Sequence, residues 1–475
     1  MRGRVKSQPR RRGERGESFF LRKEAPRPPR LRGLLLFCFL AGAVAADDGR
    51  YQDYPVGSRA MALGGSFVAI SDDPSGLFYN PAGVVDAHRL NVSVSASLYG
   101  IEKQSRGAIE LNSGSFTLAT LNVIPGEAGL LKGFGDFDAR RGSPLALGFD
   151  VAVPSFRSYG IDATEPFGGL TRKLHTRVLD RTFDLAAGGA VRIDERWSVG
   201  LALHYVLRLF EQSEDALVSG AGADPPVGVY HAAAAFQNAN LVALLGAKLR
   251  LGQWAFGASL SLPGIPLHSA GKVNVQDVVT DPSQPEGNRT RVVIYDEADR
   301  VRSETPSPLT LRAGFARFEP RRWTVSGQVT VHAGTSYDRF TVPPAVAERL
   351  RIQGHVDRKP VLNLNAGAEA LFATDYTVAL GAFTDHSGAQ PLDADPSGVL
   401  RAGSSRLSNL NLYGGTLTLG VIGNHSISRL GMSIAYGGGE EAVADESGGV
   451  GSLQYQRARV HQLFLYFFLA STFRY

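Results

Sequence analysis

Polar and apolar residues alternate in short runs along most of this chain. In Asn91-Val-Ser-Val-Ser-Ala-Ser-Leu98, residues Asn91, Ser93, Ser95 and Ser97 fall on one side and Val92, Val94, Ala96 and Leu98 on the other. Thr324–His332 repeats the pattern, and Asn363–Ala370 sets Asn363, Asn365 and Glu369 against Leu364, Ala366, Ala368 and Ala370. A period of two marks a β-strand, whose successive side chains point to opposite faces. Similar segments recur near 144–156, 180–194, 196–212, 240–252, 254–263, 307–319, 376–385, 410–422, 427–438 and 459–475, with a less regular one at 116–124. The pattern predicts about fourteen strands. Within 262–308, alternation at 272–276 and 291–295 predicts two strands prolonged beyond the others and joined by an excursion.

The polar faces are small and uncharged, as with Ser326, Gln328 and Thr330. A soluble sandwich would bury the apolar face in a core. A lipid-embedded barrel would turn it outward and keep the polar face for its lumen. No apolar run in 46–475 approaches the length of a membrane-spanning helix. Connections are tight at 194–196 and 321–322, and long and rich in Pro, Asp and Gly at 214–229, 276–306, 338–360, 386–408 and 439–456. Short turns at one rim and long loops at the other suit a barrel in an asymmetric membrane. Aromatic residues stand near strand ends, among them Phe134, Trp197, Tyr337 and Tyr436, as headgroup-level rings would. The last segment, RVHQLFLYFFLASTFRY, puts Leu463, Leu465, Phe467, Leu469, Phe473 and Tyr475 on one face. With Phe473 and Tyr475 at its end, it resembles the closing strand that the outer-membrane assembly machinery of Gram-negative bacteria recognises. The reading is an all-β transmembrane antiparallel barrel of a single chain, with no sign of an oligomer interface.

Composition adds an export signal. Residues 1–45 carry twelve Arg or Lys and three Glu, then the apolar run LLLFCFLAGAVA ending in small residues. This predicts a secretory signal peptide cleaved after Ala45. The leader contributes +9 to a formal charge of +5, so the remainder sits near −4 and offers no basic excess to a nucleic acid. The one cysteine, Cys38, lies in the leader. The ten histidines show no metal-ligand spacing, there is no His-Glu-x-x-His, and the Gly437–Gly439 run lacks the Lys of a phosphate loop and reads as a turn. No enzyme, metal site or cofactor is expected.

Between the leader and the first strand, residues 46–87 have neither period. The stretch GSRAMALGGSFVAISDDPSGLFYNPAGV holds Gly57, Arg59, Gly64 and Gly65, then Ala69, Asp72 and Asp73, then Tyr79, Asn80, Pro81, Ala82 and Gly83. These three blocks resemble the N-terminal region of the long-chain fatty acid transporter family of outer-membrane proteins, which includes aromatic-hydrocarbon transporters. The strands SPLTLRAGFARFEP and NLNAGAEALF extend the resemblance. It implies a fourteen-stranded barrel over 88–475 whose N-terminal segment folds inside the lumen as a hatch. It also implies passive passage of hydrophobic molecules through a pocket beside that plug and out through a gap in the wall.

The residues of the stretch suit a plug on physical grounds. Gly64-Gly65 permits positive φ or close backbone approach. Asp72-Asp73-Pro74 reads as a turn or helix start, and Asn80 is held extended by Pro81. Arg59 is the candidate clamp, paired with Asp72, Asp73 or the lumen carboxylate Glu369. Asn80, Pro81 and Gly83 complete the hinge. Phe67, Leu77 and Phe78 are the candidate lining of a hydrophobic pocket, or else packing contacts. Two alternatives stay open: a barrel that carries or assembles other surface proteins, and a hydrophilic porin.

Overall fold

The computed structural model describes residues 49–51, 55–106, 124–136, 138, 142–167, 170–220, 227–280, 290–320, 322–343, 346, 353–445 and 454–475. The leader with its signal peptide, and the body of the expected 116–124 strand, lie outside these residues. Strands β1 (Leu90–Arg106), β2 (Ile124–Phe134), β3 (Leu145–Phe167), β4 (Leu170–Arg192), β5 (Trp197–Ser219), β6 (Val227–Leu251) and β7 (Trp254–Ser261) are followed by β8 (Ile265–Thr280) and β9 (Thr290–Val301). Then come β10 (Thr310–Glu319), β11 (Trp323–His332), β12 (Thr335–Asp338), β13 (His355–Arg358), β14 (Val361–Phe372), β15 (Tyr376–Asp385), β16 (Asn409–Ile422), β17 (Ser426–Asp445) and β18 (Gln454–Arg474).

Among the described residues, fourteen of these strands form a closed antiparallel ring: β1 to β7, β10, β11, β14 and β15 to β18, with β18 returning to β1 and β5 pairing β6. Closure leaves no strand edge in the ring, which is the condition for a sheet to cross a bilayer. No described helix is long and apolar enough to cross one. The alternation sets the two faces. Asn91, Ser93 and Ser95 are buried toward the lumen while Val94 is exposed. Leu147, Leu201, Leu245, Leu311, Leu364 and Leu417 lie on the outside, each more than 40% exposed. An apolar exterior around a polar interior is the arrangement of a lipid-embedded barrel.

Several strands run farther than their apolar alternation. β3 continues to Phe167 and β4 starts at Leu170, through residues such as Lys173, His175 and Arg177 that are exposed. Past the apolar belt both faces meet water, so the pairing persists while the hydrophobic signal is lost. β2 was missed by the alternation because its lumen side is Glu127, Gly129, Leu131 and Gly133. The Gly437–Gly439 run corrects the sequence reading: it is not a turn but lies within β17, paired with Leu410–Leu412 of β16. There the glycines let adjacent backbone approach where a Cβ would collide with Asn411 O or Asn409 O. Phe134, Trp197 and Tyr436 are exposed, whereas Tyr337 is buried against Val356, Ala389 and Leu407.

The 262–308 segment forms β8 and β9. β6 pairs with β7 through its C-terminal part and with β8 through its N-terminal part, so β7 and β8 form one line interrupted at 262–264. Pro263 cannot donate to a ladder. β9 and β10 are likewise interrupted by 302–309. Side chains stitch the interruption: Asn240 donates to Thr305 O at 2.9 Å and Ser303 Oγ to Asn238 Oδ1 at 2.8 Å.

The lipid-facing assignment is testable. Leu417→Arg places a cation mid-belt on β16 and should destabilise the barrel by about 2–4 kcal/mol in reversible unfolding from lipid. An unchanged midpoint would refute that orientation.

Candidate functional site: the plug and the cavities around it

Residues 55–87 lie within the ring and touch strands on all sides of it. Their helices are short: α1 (Ser58–Ala62), α2 (Gly76–Tyr79) and a 3-10 turn at Pro81–Asp86. α1 ends at Gly64 and Gly65, both at positive φ (61° and 84°), with Gly65 N donating to Ala60 O at 2.8 Å. Glycine takes that conformation without the Cβ penalty. Asp73 accepts from Ser75 Oγ at 2.6 Å and precedes α2, so the Asp-Asp-Pro step is a turn into a helix. Asn80 is a cross-link. Its Nδ2 donates to Val68 O at 2.9 Å and to the wall at Ala247 O at 3.0 Å, while its Oδ1 accepts from Ala82 N at 3.1 Å. Pro81 opens the 3-10 turn, and Gly83 packs where a Cβ would meet Ser71.

So little regular structure leaves many plug backbone groups without partners, and buried ones must be paired. Wall side chains supply the pairs. Gln328 Oε1 accepts from Phe67 N and Val68 N at 3.1 and 2.9 Å. Ser326 donates to Ser66 O, Ser259 to Tyr79 O, Ser198 to Ala82 O, Asn365 to Gly64 O and Thr416 to Ala62 O, at 2.6–3.1 Å. The small polar lumen faces that the sequence shows are therefore the plug's hydrogen-bonding counterpart.

Three pairs of wall glycines, each facing across neighbouring strands, receive the plug. Gly200 and Gly246 meet Asn80–Ala82, Gly257 and Gly314 meet Val68, and Gly367 and Gly381 meet Leu63–Gly64. An added Cβ at Gly367 would lie 2.7 Å from Leu63 Cβ, and one at Gly200 2.5 Å from Ala82 N. At Gly257 it would collide with the carbonyl of Val68.

Two ion networks fix the plug at its ends. Arg59 Nη1 lies 2.6 Å from Asp72, and its Nη2 lies 2.8 Å from Glu369 on β14. Glu369 is shared with Arg429 of β17 at 2.9 Å, whose other arm donates to Ser58 Oγ. Burial alone would raise Asp72, but the charges of Arg59, Arg474 and Lys248 hold it below the usual carboxylate range. Burial, and then the charge of Asp72, push Asp73 up to about 6, and the hydrogen bond from Ser75 and the charges of Arg429 and Arg474 offset this only in part. At the other end Asp86 accepts from Arg192 at 2.7 Å, and meets Lys248 at 2.9 Å and Arg250 at 3.2 Å. Sequence reasoning did not single out this cluster. The signal available was Lys248, a lysine at an inward position of an otherwise apolar strand.

Among the cavities that border the plug, two adjoin β3. One, about 210 Å³, is lined by Phe78, Pro154, Ser155, Asp180, Asp184, His204, Arg208, Arg312 and His332 among others. The other, about 50 Å³, is apolar, lined by Met61, Gly126, Val153, Leu412, Ala435, Phe464, Tyr466 and Phe468 among others. Of the three candidate pocket residues, Phe78 lines the larger cavity. Phe67 and Leu77 are fully buried in the plug's packing, Phe67 edge-on to Tyr79. The cavities adjoin the same wall feature. Among the described residues the β2–β3 ladder runs as far as Glu127–Ala152, and β3 bulges at Val153-Pro154. Val153 lines the apolar cavity, and Pro154 and Ser155 the larger one. Phe473 and Tyr475 are exposed at the end of β18, where Tyr475 pairs with Leu90.

Seating of the plug predicts a conductance change. Gly257→Ala drives a Cβ into a backbone carbonyl that cannot yield, so the plug should shift and single-channel conductance should rise from near zero to that of an open pore. Unaltered conductance would show that the Val68 contact is dispensable.

No protein-family model and no curated protein sequence matches the chain. Solved structures do. A Pseudomonas aeruginosa FadL homologue aligns with a TM-score of 0.55 at 10% identity, over 91% of this chain and 99% of that one. The P. putida toluene transporter TodX aligns with a TM-score of 0.55 at 14% identity, over 90% and 99%. At this identity the likeness is one of architecture: the chain has the fold of the FadL-type and TodX-type barrels.

Proposed function

We propose that the chain is a passive outer-membrane channel for small hydrophobic molecules, which pass beside a seated plug and leave through the wall at the β3 bulge. The observation that carries this reading is the apolar cavity walled by Phe464, Phe468, Leu412 and Met61 that reaches Gly126 and Val153, where the β2–β3 ladder has ended. An exit there would deliver cargo to lipid, the destination an apolar solute prefers. The larger cavity, which touches the same bulge from the other side, is the receiving site. The described lumen thus has unfilled space at the plug, which favours transport over a carrier role, and the plug fills the bore that a hydrophilic porin would need.

The likeness to a FadL homologue and to a toluene transporter leaves acids and hydrocarbons as candidate cargo. Arg312 favours an acid. Its guanidinium borders the larger cavity and lies 5.6 Å over the Phe78 ring, and no described carboxylate pairs with it. A half-buried cation of this kind, opposed only from a distance by Asp184, is matched by a ligand carboxylate, whereas an uncharged hydrocarbon adds nothing to it. The substrate class proposed is therefore the long-chain fatty acid, with its head at Arg312 and its chain toward Phe78. Phe473 and Tyr475 act as the assembly signal at the end of the closing strand, and the chain works as a monomer.

Val153→Trp fills the junction between the cavities. It should abolish uptake of labelled palmitate by cells that depend on this protein, with the barrel still folded. Uptake at the native rate would rule out the bulge as the exit.

A further inference from the structure

The larger cavity has a second polar feature that a simple fatty acid does not use. His204 on β5 and Asp184 on β4 are diagonal neighbours across the ladder, both buried, with His204 Nδ1 2.8 Å from Asp184 Oδ1. When Nδ1 of the neutral ring donates to this carboxylate, Nε2 is the acceptor of the pair. That Nε2 is buried and has no hydrogen-bond partner. An unpaired buried acceptor costs free energy in a folded protein. The cost is understandable where the group serves a ligand. The position supports this, because His204 and Asp184 both line the cavity, and the His204 ring stands edge-on to Phe78 at 6.5 Å. Phe78 is the ring that Arg312 covers at 5.6 Å. One aromatic ring is thus bordered by an unpaired cation and by that acceptor.

We infer that the Asp184–His204 pair is a hydroxyl-binding subsite, and that the preferred ligand is a hydroxylated fatty acid whose carboxylate meets Arg312 and whose hydroxyl donates to His204 Nε2. A hydrocarbon or a plain acid leaves Nε2 unpaired. A hydroxyl on the chain pairs it without adding charge. His204 is a specificity residue in this arrangement, and Asp184 positions it. The inference rests on the transport reading above, because the same cavity serves both.

The test is binding by the purified full chain in detergent, comparing palmitate with a positional series of hydroxyhexadecanoic acids. At least one hydroxy acid should bind about tenfold or more tightly than palmitate, the worth of one buried hydrogen bond or more. In His204→Phe the ratio of hydroxy-acid to palmitate affinity should fall to about one. Should that variant fail to fold, Asp184→Asn/His204→Phe removes both partners together and gives the same readout. Equal affinity across the series, or a preference that survives loss of His204, overturns the inference and leaves the transport reading intact. Failure of palmitate and every hydroxy acid to bind overturns both.

Discussion

The plug touches the wall at backbone distance, and that closeness governs the rest of the molecule. Cross-strand glycine pairs at Gly200–Gly246, Gly257–Gly314 and Gly367–Gly381 create shallow notches in the lumen face. Into them fit Asn80–Ala82, Val68 and Leu63–Gly64. A segment with almost no regular structure can be buried only if its amides and carbonyls find partners. The notches bring those groups within reach of Ser198, Ser259, Ser326, Gln328, Asn365 and Thr416. Small polar wall residues and wall glycines are thus one device. The first satisfy the plug and the second let it come near enough to be satisfied.

Charge fastens the ends of what the notches seat. The Arg59–Asp72 pair reaches β14 and β17 through Glu369 and Arg429, and Asp86 gathers Arg192, Lys248 and Arg250 from β4 and β6. These charges are buried but each finds an opposite partner, the condition under which burying them is tolerable. The side of the lumen near the β3 bulge is different. There the described β2–β3 ladder ends, and neighbouring β3 residues line two cavities beside the plug, Val153 the apolar one and Pro154 the larger.

Local chemistry made part of this legible in the sequence. Gly64-Gly65, Asp72-Asp73-Pro74 and Asn80-Pro81 announce their backbone geometry through residue type, and the plug stretch stands out because it lacks the period of two. Arg59 and Glu369 could be named as a possible pair because each is a charge on an otherwise small, uncharged surface. What stayed hidden depends on register. Nothing local to Gly257 says that Gly314 will lie beside it or that Val68 will press on both. The Asp184–His204 pair is similarly set by the β4–β5 ladder, and Asp86 is joined to residues more than a hundred positions away. The outer halves of β3 and β4 were hidden for another reason, since strands beyond the apolar belt carry charge on both faces. Gly437–Gly439 misled because glycine marks close backbone approach inside a strand as readily as it marks a turn.

The central claim is that cargo moves beside a plug that stays in place. Ser326 Oγ donates to the backbone carbonyl of Ser66 at 2.9 Å, and the sole cysteine of the sequence, Cys38, precedes residue 46. A Ser66→Cys/Ser326→Cys pair, its disulfide verified by mass after oxidation, ties plug to wall without competing thiols in residues 46–475. The most direct measurement is palmitate uptake by this variant, oxidised and reduced. The account predicts equal uptake in both states, whereas uptake that is lost on oxidation and restored by reductant would show that the plug must leave its notches for cargo to pass.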